Sequence, residues 1–348
     1  MYLFIISIIY PILLIFLVNF VFKKYNYLIY FPKKNHKESF DSEIIISGGV
    51  IIFLSLFTLK ITYFENIFDI YLLLFISTIF VIGLLSDLKE IDATLRLILI
   101  TLITLSYIWI SNKFILDLKF EFINDFFDDY ILVAIIFTTL CFVILINGFN
   151  FIDGVHGLTL LFSIVIIIIL NYFLFFILKN DFKLNETILI LPSLVIIFIL
   201  NIKEKMFIGD SGSYVLALFL GVTIVNFTSL KTHSFPYVYG NLLIYPAYEV
   251  FFSIIRKLYK KANPLEADRK HLHHLFQKYF ENNFNINTKN SKIFSCCIIN
   301  IFVLFFCLVS VHFYQFKYIQ IINIFTFCLI YTLIYYLLSR KLKKIYQL

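Results

Sequence analysis

The sequence predicts an all-α protein that crosses a membrane about eleven times. Three observations lead to this prediction: 61% of the 348 residues are hydrophobic, only 15% are charged, and the apolar residues form long runs. Soluble domains carry about 25% charged residues, so this chain has too little polar surface for a soluble globule. Backbone polar groups in lipid must be satisfied within the segment, so apolar runs without strand-like alternation are expected to be helices.

Eleven apolar runs approach the roughly 20 residues that a helix needs to cross a bilayer. They lie near 2–22, 44–63, 67–85, 95–112, 130–149, 158–178, 187–202, 213–228, 237–255, 293–311 and 318–338. The seventh and eighth runs are the shortest ones. The sequence therefore predicts a polytopic bundle with the lipid bilayer as its surroundings.

Basic residues are unevenly distributed between the two sets of loops. If the segment after the first run is cytoplasmic, 22 of the 29 Lys and Arg residues lie on that side. Cytoplasmic loops are enriched in Lys and Arg, so we expect the N-terminus outside and the C-terminus in the cytoplasm. We interpret residues 1–348 as one membrane domain whose cytoplasmic loop 256–292 is the longest and most basic. The net charge of +7 then reflects topology, and no nucleic-acid partner is expected.

The segment from Asn147 to Gly157 contains the most informative polar pattern. Asn147, Asn150 and Asp153 are spaced three residues apart, so on a helix they share one face. Oxygen-bearing side chains on one face suit a hard cation such as Mg²⁺, or a polar substrate. A capped helix end would explain one or two of these residues, but not three in register. We therefore predict a functional site here.

A second motif, Phe207 to Ser213, opens the eighth run. Ser211 or Ser213 could cap the helix, and the helix dipole favours Asp210 near its start. The same free N–H groups could instead bind a phosphate, with Asp210 available to a Mg²⁺. The motif lacks the lysine of a P-loop. Taken alone, it leaves the structural and the functional interpretation equally open.

Three histidines, His271, His273 and His274, fall within four residues of the basic loop. A solvated basic loop explains the neighbouring lysines but not the histidines. A Zn²⁺ site would need Cys or His ligands that the rest of the sequence does not offer in matching spacing. Basic residues and imidazoles beside an acidic cluster instead suit a substrate that carries a diphosphate.

Together these segments resemble the polyprenyl-phosphate N-acetylhexosamine-1-phosphate transferases of glycosyltransferase family 4. Residues 147–158 resemble that family's Asn-x-x-Asn-x-x-Asp-Gly-x-Asp-Gly-Leu stretch, and residues 207–213 resemble its Phe-x-Gly-Asp-x-Gly-Ser. Residues 271–274 resemble the His-x-His-His of the branch that transfers simple N-acetylhexosamine phosphates, the UDP-GlcNAc:undecaprenyl-phosphate type. Seven further residues echo the family's first cytoplasmic loop and ninth span, so the resemblance covers roughly 30–280. They are Pro32, Lys34, His36, Gly48, Gly49, Pro246 and Glu249.

Two positions depart from the family pattern. The family usually carries adjacent aspartates after the third span, whereas this chain has Ser86 before Asp87. His156 replaces the second aspartate of the longer motif, at a position that the resemblance places near the nucleotide base. We therefore expect a single displacement without a residue of the chain acting at position 86, and altered contacts to the base.

The resemblance implies transfer of N-acetylhexosamine-1-phosphate from a UDP-N-acetylhexosamine to undecaprenyl phosphate, with release of UMP. It implies a site on the cytoplasmic face of the bacterial inner membrane, at the first step of lipid-linked cell-surface glycan synthesis. The cofactor implied is Mg²⁺, with Mn²⁺ as the alternative ion, and a homodimer is left open. Two other functions are weighed: a family member altered towards a different nucleotide sugar, and a secondary transporter, which the lack of an internal repeat disfavours.

The resemblance also assigns candidate roles residue by residue. Catalytic roles fall to Asp87, Asp153 and Asp210, and Mg²⁺ binding to Asn150 and Asp210. Substrate binding falls to Asn147, Arg96, His156, Arg269, His271, His273, His274 and His36.

Overall fold

The computed structural model describes residues 2–30, 43–62, 67–89, 91–178, 185–228, 235–266, 268 and 270–346. Most of these residues are helical. The elements are α1 Tyr2–Tyr25, β1 Ile29–Tyr30, β2 Ile44–Ile45, α2 Gly48–Thr62, α3 Ile67–Leu88, α4 Ala93–Ser111, α5 Glu121–Asp129, α6 Ile131–Ile152, α7 Leu158–Tyr172, α8 Asn185–Ile202, α9 Gly209–Thr228, α10 Pro236–Leu242, α11 Ile244–Tyr259, α12 Leu272–Phe284, α13 Thr288–His312 and α14 Lys317–Tyr346. A π-helical turn, Phe173–Ile177, follows α7.

The predicted all-α polytopic membrane fold is confirmed. Each of the eleven apolar runs contains a helix, and eight of the described helices are long and apolar enough to cross a bilayer. The α2 and α8 helices are shorter apolar helices. The run at 44–63 begins with the strand β2 rather than with helix. The orientation of the bundle stays a prediction.

The ninth predicted run is broken into two helices. The α10 and α11 helices meet at Leu243 with a bend of 71°. Pro246 lies in the first turn of α11, where its ring removes a backbone N–H and clashes with the carbonyl four residues earlier, at Leu242. The buried side chain of Asn241 donates to the Tyr237 carbonyl at 3.0 Å, and to Gln320 of α14. Side chains therefore stabilise the break within an apolar environment.

The α9 helix lies at the centre of the bundle, packed against α2, α3 and α6. Every residue from Ser211 to Val222 is buried. Two glycines allow this packing: a Cβ on Gly49 would overlap the Ser211 hydroxyl, and one on Gly83 would overlap the Ser211 Cα. Close backbone approach at both glycines thus sets the position at which α9 begins.

A short antiparallel ladder holds the segment that leads into α9. Strands β1 and β2 pair through Ile29 and Ile45, and Ile45 forms a parallel bridge with Met206. The Phe207 amide donates to the Ile45 carbonyl at 3.0 Å, and the Gly48 amide donates back to the Phe207 carbonyl at 2.9 Å. The ladder therefore fixes the residues just before Asp210.

Candidate active site

Four helix ends meet around the carboxylate of Asp210, which lies in the first turn of α9. Its Oδ2 atom accepts a hydrogen bond from the Ser86 hydroxyl at 2.6 Å and from Arg96 Nη1 at 2.8 Å. Its Oδ1 atom accepts one from the side-chain amide of Asn150. The structure thus brings Asp210, Arg96 and Asn150 together, as the sequence predicts.

Asp87, at the end of α3, caps the start of α9. Its Oδ1 accepts from the Asp210 backbone N–H at 2.7 Å, and its Oδ2 accepts from the Ser211 N–H at 3.1 Å and the Ser211 hydroxyl at 2.6 Å. Gly209 precedes these donors with a φ of +66°, and a Cβ there would lie 2.6 Å from both Asp87 oxygens. Both oxygens of Asp87 therefore bind the helix terminus, a capping role supplied from another helix.

The hydroxyl of Ser86 forms hydrogen bonds with two charged residues of the site. Its hydroxyl donates to Asp210 and accepts from Arg96 Nη1 at 3.2 Å. A carboxylate at position 86 would face the Asp210 carboxylate, and two like charges at that distance repel each other. Ser86 therefore takes part in the hydrogen-bond network of Asp210 without adding a negative charge.

Asp153 follows the last residue of α6 and lies close to the two other aspartates. Burial and the negative charges of Asp210 and Asp87 raise its pKa well above the usual range. Arg96 offsets part of the charge of these three carboxylates through its ion pair with Asp210. Such a group of carboxylates favours the approach of a cation.

The donor set fits a hard cation rather than a soft one. Within the described part of the chain, no three His, Cys, Asp or Glu side chains converge closely enough to hold a metal ion. The Asn150 amide and the Asp210 carboxylate lie in hydrogen-bond contact, however, and their oxygens are donors that Mg²⁺ prefers. Turning the Asn150 amide by 180° would present its oxygen to such an ion. Asn147 lies one turn earlier, and its amide donates to the Val143 carbonyl at 2.7 Å.

The histidine segment lies against the turn that carries Asp153. A Cβ on Gly154 would lie 2.7 Å from His273 Nε2 and 3.0 Å from His274 Nε2. His273 is fully buried, and within the described residues neither of its ring nitrogens has a hydrogen-bond partner. Burial, together with the neighbouring His274 and His271, holds the pKa of His273 well below its usual range. Buried polar groups usually have hydrogen-bond partners, and a bound ligand would explain the two unsatisfied nitrogens of this imidazole.

His271 sits in a different environment from the other two. Its Nδ1 lies 3.0 Å from the carboxylate of Glu249, and its Nε2 lies 3.7 Å from Asp268. Arg256 binds the far side of Asp268 at 2.9 Å. These contacts anchor the segment before α12 to the end of α11.

His156 contacts a residue that the sequence interpretation overlooked. Its Nδ1 lies 3.3 Å from Glu204, and its ring packs against Phe207 at a tilt of 41°, with centroids 4.7 Å apart. His36 and Arg269, the remaining predicted residues, lie outside the described residues. Glu249 was also overlooked as a site residue, although a carboxylate within an apolar run is itself a signal of function.

The chain is similar in sequence to known transferases. The model of the family described as glycosyl transferase family 4 matches residues 69–228. An undecaprenyl-phosphate alpha-N-acetylglucosaminyl 1-phosphate transferase from Thermotoga maritima is 28% identical over 233 residues, which are 66% of this chain and 67% of that protein. The protein of the same description from Escherichia coli K12 is 29% identical over 138 residues, 38% of each chain. A phospho-N-acetylmuramoyl-pentapeptide-transferase from Borreliella afzelii is 24% identical over 71% of this chain and 77% of its own length.

Proposed function

The chain belongs to glycosyl transferase family 4, and from this premise we propose that it transfers N-acetylhexosamine-1-phosphate from a UDP-N-acetylhexosamine to undecaprenyl phosphate. An oxygen of the lipid phosphate forms a bond to the phosphorus next to the sugar. The bond from that phosphorus to the bridging oxygen of the diphosphate breaks, and UMP leaves with the electron pair. We place this reaction at the cytoplasmic face of the bacterial inner membrane, in cell-surface glycan synthesis.

The arrangement around Asp210 is the observation that supports this proposal most directly. The carboxylate, the Arg96 guanidinium and the Asn150 amide meet at the first turn of α9. Arg96 and the histidine segment together offer a diphosphate several donors, beside the carboxylates that suit a cation. Neither a lipid-packed bundle nor a transport path accounts for this concentration of groups at one end of the molecule.

The residues of the chain act chiefly on charge and orientation. A phosphate monoester is largely dianionic near neutral pH, because its second pKa is about 6, so the acceptor needs little help from a base. Its obstacle is repulsion from the diphosphate. Arg96 has several N–H donors, so it can keep Asp210 while it binds a phosphate oxygen.

We also propose Mg²⁺ as the cofactor, with Mn²⁺ as the alternative ion and Asn150 and Asp210 as the residues that would hold it. A bound ion supplies positive charge that offsets the repulsion between the phosphates. Burial and the neighbouring carboxylates raise the pKa of Asp153, and a cation bound beside Asp210 would favour its ionised form.

One assay tests the proposed activity. Purified protein with Mg²⁺ and undecaprenyl phosphate is offered UDP-GlcNAc and UDP-GalNAc separately, and UMP and the lipid product are measured by mass spectrometry. We expect equal amounts of UMP and lipid-linked sugar phosphate from at least one donor. Lack of product with every UDP-sugar would contradict the proposal.

The presence of Ser86 bears on the order of the chemical steps. Because the Ser86 hydroxyl is hydrogen-bonded to Asp210 and Arg96, we propose one in-line displacement with no covalent intermediate. The protein is incubated with labelled UMP and UDP-GlcNAc, without lipid acceptor. A single displacement predicts no transfer of label into UDP-GlcNAc, whereas rapid exchange would indicate a covalent intermediate.

A further inference from the structure

A buried carboxylate in α11 lies in hydrogen-bond contact with three donors from two distant parts of the chain. Glu249 is only 1% exposed. Its Oε1 lies 3.0 Å from His271 Nδ1 and accepts from the Leu272 backbone N–H at 3.3 Å. Its Oε2 accepts from the Tyr331 hydroxyl of α14 at 2.7 Å. Three converging groups suit a carboxylate that accepts at both oxygens, which assigns His271 Nδ1 as a donor.

Burial of the Glu249 carboxylate costs free energy of folding, and a functional role would account for that cost. A buried carboxylate loses its hydration, and an apolar residue at position 249 could fill the same space without that loss. Tyr331 is itself fully buried and packs edge-on against Tyr248, with ring centroids 5.0 Å apart. The hydroxyl of Tyr331 thus points at Glu249 from within an aromatic cluster. Position 331 lies beyond the 69–228 region that the family model matches.

The contacts continue from Glu249 to the turn after α6. The rings of His271 and His273 are nearly parallel, 8° apart, with centroids separated by 5.6 Å. His273 in turn lies against Gly154, next to Asp153. Since the Leu272 amide is also bound by Glu249, the carboxylate holds both the ring of His271 and the first residue of α12. The position of the unsatisfied His273 ring therefore depends on Glu249.

We propose that Glu249 and Tyr331 are positioning residues, which hold the histidine segment against the Asp153–Gly154 turn and so favour binding of a nucleotide diphosphate. Tyr331 keeps the Glu249 carboxylate oriented, and Glu249 keeps the Nδ1–H tautomer of His271. Neither residue touches the substrate. This inference rests on the proposed function, because it assigns the histidine segment to the nucleotide-sugar substrate.

The test is the Tyr331→Phe variant, which retains the ring and its packing and removes only the hydroxyl. Its matched control is Tyr248→Phe, because the Tyr248 hydroxyl bonds Thr332 at 2.8 Å across the same α11–α14 interface without contacting Glu249. The Kd of UDP-GlcNAc is measured by calorimetry on the purified protein without lipid acceptor, and the binding stoichiometry reports the folded fraction. KM and kcat for both substrates are measured in parallel.

We expect Tyr331→Phe to raise the Kd and the KM of UDP-GlcNAc about tenfold, the effect of a lost hydrogen bond to a charged group. The stoichiometry and the KM of undecaprenyl phosphate should stay unchanged, and Tyr248→Phe should match wild type. Glu249→Gln keeps the size of the side chain but has one acceptor oxygen, so it should raise the Kd at least as much.

The outcomes separate the two claims. If Tyr331→Phe and Tyr248→Phe bind UDP-GlcNAc equally well, the positioning inference is overturned while the proposed activity stands. If wild type binds UDP-GlcNAc and Tyr331→Phe binds it more weakly, but no UMP is released with acceptor, the inference holds and the proposed reaction fails. Wild-type protein that binds neither UDP-GlcNAc nor UDP-GalNAc would overturn both claims.

Discussion

Replacement of Asp87 should lower the free energy of unfolding, because both of its carboxylate oxygens accept hydrogen bonds from the start of α9. In Asp87→Asn one oxygen becomes an amide nitrogen, which cannot accept from a backbone N–H. One of the amides of Asp210 and Ser211 would then face another donor, which costs about 1–3 kcal/mol. Loss of the negative charge at a helix N-terminus adds about 0.3–1 kcal/mol. We therefore expect the free energy of unfolding to fall by about 1.5–4 kcal/mol.

Asp92 provides the matched control, since it caps α4 with the same chemistry. Its Oδ2 atom alone accepts from the Thr94 and Leu95 amides, at 2.9 and 3.2 Å, so an asparagine oxygen can replace it. Unfolding is followed by SDS titration in mixed micelles, and activity by UMP release. Asp92→Asn should keep wild-type UMP release and lose only the small contribution of the negative charge at the start of α4. If Asp87→Asn unfolds like Asp92→Asn yet releases no UMP, Asp87 acts on substrate and the capping argument is wrong.

Three further outcomes follow from the packing and charge at the site. Gly83→Ala should lower the free energy of unfolding by about 1–3 kcal/mol, because its Cβ would overlap Ser211, whereas Gly240→Ala meets no atom within 4 Å and should not lower it. His273 has a lowered pKa, so below about pH 6.5 the unfolded chain binds a proton that the folded one resists, and stability falls as the pH falls. His273→Asn should flatten that loss in thermal melts taken from pH 7 to pH 5; an unchanged slope would contradict the assignment. Chelation by EDTA should abolish UMP release and added Mg²⁺ should restore it, and full activity in EDTA would exclude the proposed metal.

Composition and short motifs predicted the bundle and most of its polar centre. The apolar runs indicated the helices because length and hydropathy are local properties of a segment. The spacing of Asn150 and Asp153 placed them at one end of a helix, where the structure has them. The motif at Asp210 left a structural and a functional interpretation open, and the structure supports both: Asp87 caps the helix there, and Asp210 meets Arg96 and Asn150.

What sequence reasoning missed depends on contacts between distant residues. Asp87 binds backbone amides 123 residues away, and Glu249 binds a tyrosine 82 residues away; neither pairing leaves a periodic signal. Pro246 is a local sequence signal for the bend at Leu243. The bend was not predicted, because the apolar run continues through this proline and was interpreted as a single span. Helices α5 and α12 were missed because those segments were interpreted by their charge rather than by their periodicity.

The measurement that tests the central claim most directly is UMP release from UDP-GlcNAc by the purified protein, with and without undecaprenyl phosphate, for wild type and Asp210→Asn. The account predicts release that requires the lipid acceptor, matches the lipid-linked product mole for mole, and is lost in Asp210→Asn, whose side chain can no longer pair its charge with Arg96. Release that is independent of the acceptor, or unchanged in Asp210→Asn, would contradict it.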